Sequence, residues 1–237
     1  MQQQTGMDTF MKKIVSKLLI LTSIAATPWA AANTNFVGKK VEENKEIKSA
    51  KIVYFGNISS NKISELMSSI DDINNNYPTV SEIKLYINSG GGEMEAGYAA
   101  AQAVKGSRIP VKTINASITG SSATLIYCAA EKRATLASAT FYIHSASIGN
   151  SGMNYLQPNH INDLKKNVNN ANEIFRDVYK DCLKKSSIDL DKVLFSEDNS
   201  LYLRYPESVK SGLANTLETS IAQTDIAYYI ADNNDKD

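Results

Sequence analysis

Apolar positions along the chain follow two rhythms, one of period two and one close to 3.6, and the rhythms take turns. KIVYFG at 51–56 is rich in β-branched and aromatic residues and closes on glycine, which predicts a strand. Ile63, Leu66, Met67 and Ile70 then recur at helical spacing. SEIKLYINS at 81–89 alternates through Ile83, Leu85 and Ile87 as a second strand, and the alanine-rich EMEAGYAAAQAVKGS predicts a helix after it. PVKTINA at 110–116 is a third strand, and ITGSSATLIYC at 118–128 reads as the next helix. RATLAS and TFYIH predict two short strands. A long polar helix over 157–185 carries Leu164, Val168, Ala171, Ile174 and Val178, and a shorter helix covers 188–196. Strands alternating with helices point to an α/β fold with a largely parallel sheet, one domain over 51–221. Residues 33–50 are polar without periodicity and read as a flexible leader. Residues 222–237 contain IAYYIA, end in DNNDKD and read as a C-terminal tail.

The N-terminus follows a different logic. Lys12, Lys13 and Lys17 precede a short apolar run from Leu18 to Ala26, and Ala30–Ala32 supply small residues before a cut after Ala32. This is the three-part pattern of a secretory signal peptide over 1–32, with residues 1–10 an upstream extension and Met11 the working start. The alternative is an uncleaved membrane anchor, but the run is short for a bilayer, and no stable membrane span is expected after it. The mature chain is therefore expected in a periplasm or secreted. Lysine plus arginine equals aspartate plus glutamate, 25 each, so no basic excess suggests nucleic acid. Two histidines, His144 and His160, and two cysteines, Cys128 and Cys182, are too few and too scattered for a zinc site. No metal and no cofactor is expected. Export permits a disulfide; Cys128 in an apolar run and Cys182 in a charged helical pattern read as two separate thiols.

Chemistry concentrates where strands end. In NSGGG at 88–92, three glycines between a strand and a helix turn the backbone sharply and expose N–H groups at a helix start. Such a turn fits a plain tight bend, a phosphate, or the oxyanion of an acyl-transfer intermediate. Ser121 and Ser122 follow the third strand in the same way. A serine there caps a helix or, with a base in reach, is a nucleophile. His160 sits in a polar helical stretch and reads as a surface residue. His144 ends the strand TFYIH and is the better base.

In order and spacing, these pieces resemble the proteolytic subunit of the Clp protease family. IVYFGNIS is similar to the strand and turn that open that fold. IKLYINSGGG resembles its Y-I-N-S-P-G-G, TINASITGSSA its nucleophile segment G-x-A-A-S-M-G, YIHSA its M-I-H-Q-P, and YPESVKSGLAN its A-x-E-A-x-x-x-G-L-x-D. The resemblance covers roughly residues 50–215. It implies a ClpP/crotonase-like fold of repeated ββα units with a long helix after the histidine. It implies a serine-type endopeptidase with Ser121 as nucleophile, His144 as general base, the N–H groups of Gly92 and Ser122 as oxyanion hole, and Gly91 and Gly92 against the substrate. Ser122 is the rival nucleophile if the register slips by one.

The chain departs from the family at the third triad position. Counting back from Pro206 reaches Ser200; a short insertion restores Asp198, with Asn199 as the alternative. Gly90 replaces the family's proline, and ITGSSAT replaces its alanine- and methionine-rich nucleophile segment. A serine–lysine arrangement is the rival within the superfamily, but Lys132 starts a predicted strand. Use of coenzyme A thioesters does not suit an exported protein. The resemblance implies a homo-oligomer and a peptide or unfolded-protein substrate. No ATPase partner is expected where ATP is absent, and the polar long helix argues against stacked rings. A non-enzymatic alternative is a catalytically degenerate Clp-like fold acting as a binding or assembly module.

Overall fold

The sheet is built as the alternation of rhythms predicts, with its ends rearranged. The computed structural model describes residues 35–38, 46–149, 152, 155–184 and 186–232. The signal-peptide reading of 1–32 lies outside the described residues. In chain order the elements are β1 (Asn35–Gly38), β2 (Ala50–Phe55), α1 (Ser60–Asn76), β3 (Ile83–Ser89), α2 (Met94–Gly106), β4 (Val111–Gly120), α3 (Ala123–Cys128), β5 (Lys132–Leu136) and β6 (Thr140–Ile143). The long helix α4 (Pro158–Cys182) follows, then α5 (Leu190–Val193), a 3-10 turn (Glu197–Asn199), β7 (Leu201–Leu203), α6 (Glu207–Lys210), β8 (Thr216–Glu218) and β9 (Ile226–Ile230).

The sheet order is β1-β9-β2-β3-β4-β5-β8, with β6 branching from β4 and carrying β7. Pairs are parallel except β1 with β9 and β6 with β7. Ile52, Leu85 and Ile87 from the strands meet Leu66, Ile70, Ala100, Val104 and Leu125 from α1, α2 and α3 in one large core. A smaller cluster of Val53, Tyr86, Ile114 and Ala134 lies apart from it. Val53 and Tyr86 alternate along their strands with the large-core residues Ile52, Tyr54, Leu85 and Ile87, as the two faces of a pleated sheet require.

Four expectations need correction. Ile118–Gly120 are strand, not helix. β4 pairs with β5 through Lys112–Asn115 and then with β6 through Ile118–Gly120. Its ladder therefore continues until Ser121, and α3 starts only at Ala123. The helix expected over 188–196 is confined to Leu190–Val193, capped by the Asp189 side chain, which accepts from the Lys192 N–H at 3.1 Å. The C-terminal tail is an internal strand: β9 lies parallel to β2 and is flanked on its other side by β1. Asp225 leads into it by accepting from the Ser49 N–H and hydroxyl at 3.0 and 2.8 Å, and Asp232 leaves it in an ion pair with the buried Lys62. Part of the leader is ordered into the same edge, because Asn35–Gly38 pair with Ile226–Tyr229.

The long helix packs only by its C-terminal end. Phe175, Tyr179 and Cys182 are its buried residues, while Leu164 and Val168, read from sequence as its apolar stripe, remain half-exposed. Among the described residues, no helix is long and apolar enough to cross a membrane.

Candidate active site

Parallel strands deliver their carboxyl ends to one edge, where an α/β sheet gathers its reactive groups. Register makes this specific. Gly120 pairs with Tyr142, and the Ser121 N–H donates to the Tyr142 carbonyl at 3.1 Å. Ser121 leaves β4 at the level where His144 follows β6. Ser89, at the end of β3, pairs with Thr119, which brings the glycine turn beside Ser121.

Ser121 has φ +50°, a left-handed conformation that costs a residue with a side chain on the order of 1 kcal/mol. The turn is held by Thr124, whose N–H and hydroxyl both donate to the Ser121 carbonyl, at 2.9 and 2.6 Å. This sharp strand-to-helix bend leaves Ser121 half-exposed. Ser122 is fully buried, and among the described residues its hydroxyl has no hydrogen-bond partner. Of the two serines, only Ser121 is accessible to a substrate.

The glycine turn nests against this bend. Gly91 has φ +111°, and a Cβ there would fall 2.4 Å from the Ser121 Cβ. Its N–H donates to the Ser89 hydroxyl at 3.1 Å and its carbonyl accepts from the Ile58 N–H at 2.9 Å. Gly91 is therefore a close-packing position whose N–H is already engaged. A Cβ at Gly92 would meet the Ile58 carbonyl at 2.2 Å. On either side of Gly92 the backbone bonds to Ile58, with the Glu93 N–H donating to its carbonyl at 3.0 Å. Among the described residues, the N–H groups of Gly92 and Ser122 make no hydrogen bond. Two unpaired donors thus flank the accessible serine.

His144 is largely buried, 13% exposed at its side chain, and its Nδ1 meets the Glu197 Oε2 at 3.0 Å. That contact commits one ring nitrogen and leaves Nε2 for a second partner. Burial pushes the His144 imidazole below its ordinary value, opposed by a backbone hydrogen bond with Ser145. The other Glu197 oxygen accepts from the Tyr142 hydroxyl. The Tyr142 ring stacks on His144 at 4.5 Å and on Tyr202 at 4.6 Å. Among the described residues, no hydrogen bond joins the Ser121 hydroxyl to His144.

The carboxylate on His144 is therefore that of Glu197, not Asp198 or Asn199. The three form a single 3-10 turn, in which successive side chains point about 120° apart. Asp198 instead faces Ser196, whose hydroxyl lies 3.4 Å from its Oδ2, and Asn199 makes no side-chain hydrogen bond to His144. Glu197 stands directly before Asp198 in the sequence. Glutamate, one methylene longer than aspartate, reaches the ring from one residue earlier. Lys132 stands at the opposite end of the sheet, paired with the start of β4, and its ammonium binds Glu82 at 2.7 Å. His160 lies at the start of α4, where its Nδ1 accepts from the Gln157 N–H at 3.3 Å.

The two cysteines are joined, contrary to the separate thiols read from sequence. Cys128 ends α3 and Cys182 ends α4, 5.5 Å apart between Cα atoms and bonded S–S. The α4 periodicity places Cys182 on the face of Phe175 and Tyr179, the one part of that helix that enters the core. One turn earlier on α3, the Thr124 hydroxyl lies 2.7 Å from the buried Tyr179 hydroxyl.

A family model of the Clp protease matches residues 39–220. The chain belongs to the Clp protease family. It is 29% identical over 138 residues to an ATP-dependent Clp protease proteolytic subunit of Dehalococcoides mccartyi, covering 57% of this chain and 66% of that protein, just under two thirds. It is 27% identical over 189 residues to the ATP-dependent Clp protease proteolytic subunit 3 of Rhizobium meliloti, covering 79% of this chain and 92% of that one. A ClpP1 point mutant of Listeria monocytogenes shares the fold with a TM-score of 0.56 and 19% identity, over 72% of this chain and 91% of its own. The mixed α/β architecture with its largely parallel sheet is thus the ClpP type.

Proposed function

We propose that the chain is an exported serine peptidase of the Clp-protease-like type that hydrolyses peptide bonds without an ATPase partner. One observation carries this reading. The accessible Ser121, held in a left-handed turn, stands between two unpaired backbone donors, Gly92 and Ser122, at the sheet edge that also bears the His144–Glu197 pair.

The chemistry follows from that arrangement. His144 Nε2 accepts the proton as Ser121 Oγ attacks the peptide carbonyl, and returns it to the departing amine. The carbonyl oxygen, now negative, receives the Gly92 and Ser122 N–H groups, each contributing about 3 kcal/mol in sites of this kind. Glu197 holds the ring so that Nε2 faces the serine and stabilises the imidazolium that forms. Water then attacks the acyl-serine with the same base. Substrate binding closes the Ser121–His144 contact, since such hydrogen bonds tighten in the complex.

Export is supported by the signal-peptide pattern over 1–32 and by the Cys128–Cys182 disulfide, a bond at home in an oxidising compartment. Where ATP is absent the substrate is a short or already unfolded peptide, and the active form is a homo-oligomer. The open Ser121–His144 contact favours a second reading, a degenerate fold that binds peptides without cutting them. An unstructured, internally quenched peptide separates the two. Cleavage by the mature protein, lost in Ser121→Ala and His144→Ala, supports the peptidase; binding without cleavage supports the module.

A further inference from the structure

We infer that Tyr142 is a positioning residue that holds Glu197 on His144, an inference that rests on the peptidase reading. Glu197 is an unusual member for such a pair. Its side chain is 59% exposed and it belongs to a three-residue 3-10 turn. Burial does not hold it, and no backbone N–H donates to its carboxylate among the described residues. A glutamate in that setting samples several rotamers, and most of them point to water.

Tyr142 supplies what burial does not. It lies on β6, two residues before His144, which directly follows the strand, and the two rings stack on the same side. Its ring is fixed by stacking on His144 and by stacking on Tyr202, its cross-strand neighbour on β7. A phenol held in this way presents its O–H in one direction, and that direction is Glu197 Oε1. His144 Nδ1 takes Oε2. The carboxylate is thus gripped at both oxygens, once by the ring it orients and once by an independent donor. Without the phenol, Glu197 keeps a single hydrogen bond to a ring that is itself meant to gain and lose charge. Tyr202 completes the device from the second strand, since its ring limits how far Tyr142 can turn.

The test removes one oxygen atom. Tyr142→Phe keeps the stack and the strand, and Glu197→Gln removes the charge while leaving the stack untouched. His144 is titrated by NMR in the mature protein carrying His160→Gln, which leaves a single histidine. The second readout is the rate of labelling by a fluorophosphonate as a function of pH. Tyr142→Phe is expected to lower the His144 midpoint toward that of Glu197→Gln, because a released carboxylate no longer favours the imidazolium. It is expected to slow labelling at neutral pH about tenfold, with unchanged thermal stability. In the Glu197→Gln background, Tyr142→Phe should do nothing more. A midpoint and rate unchanged by Tyr142→Phe, beside a shift in Glu197→Gln, overturn the inference. So does a full additional effect of Tyr142→Phe in the Glu197→Gln background, because Tyr142 would then act on His144 directly. A wild-type protein that takes no label refutes the peptidase reading instead, and the titration still decides the role of Tyr142.

Discussion

Cys128, the last residue of α3, is disulfide-bonded to Cys182, the last residue of α4. The bond ties the helix that begins beside Ser121 to the only part of the long helix that enters the core. With the Thr124–Tyr179 hydrogen bond one turn away, it fixes α4 against the Ser121 turn at two heights. A cross-link closing a separation of 54 residues removes about 4 kcal/mol of freedom from the unfolded chain in the loop-entropy account. The variant Cys128→Ser/Cys182→Ser should lose stability of that order in urea unfolding. A midpoint equal to wild type would show that the bond contributes nothing.

Gly91 should tolerate no side chain. A methyl group there meets the Ser121 Cβ at 2.4 Å, and φ +111° strains any L residue. Gly91→Ala should fold with a loss of about 1–3 kcal/mol and lose most of its reactivity, because the bend carrying Ser121 must move. Retained labelling at the wild-type rate, with intact stability, would refute the close packing.

The pH profile follows from His144. Burial holds the folded imidazole below its ordinary 6.5, so the neutral base is the main form at pH 7. Reactivity should rise from acid toward neutral pH with a midpoint below 6.5 and level off above it. Stability takes the same sign. The unfolded chain binds the proton more readily than the folded one, so stability falls as pH drops from 6.5 toward the folded value, and His144 adds no slope above 6.5. A reactivity midpoint above 6.5 would show that the Glu197 carboxylate beside the ring outweighs the effect of burial.

The C-terminal strand should be indispensable. Ile226, Tyr228 and Ile230 are buried, and β9 sits between β1 and β2 in the sheet. Truncation after Asp225 should abolish soluble folded protein. The milder Ile230→Ala should cost about 2–5 kcal/mol. A truncated chain with native circular dichroism would remove β9 from the core.

The α/β alternation and the glycine turn were legible because local rhythm and turn chemistry specify them within a few residues, whereas Ser121 and His144 were singled out from other strand-end residues by the motifs of the family the chain resembles. What stayed hidden depends on distant pairing. IAYYI looks the same as a tail or as a strand until β2 offers it an edge. Ile118–Gly120 look like a helix start until β6 is seen to continue their ladder. Cys128 and Cys182 stand in unlike sequence settings and meet only because α4 returns to the core at its end. Glu197 is hidden in the sequence for a related reason: the choice among three neighbouring polar residues is made by the phase of one 3-10 turn.

If Ser121, and not Ser122, is the serine activated by His144, fluorophosphonate labelling of the mature protein, with peptide mass spectrometry to map the product, gives one adduct on Ser121, absent in Ser121→Ala and in His144→Ala. Ser122→Ala should keep the adduct and the fold, since its hydroxyl is buried without a partner among the described residues and its loss is neutral within about 1 kcal/mol. An adduct on Ser122, or no adduct at all on a folded wild-type protein, would rule out Ser121 as the activated serine.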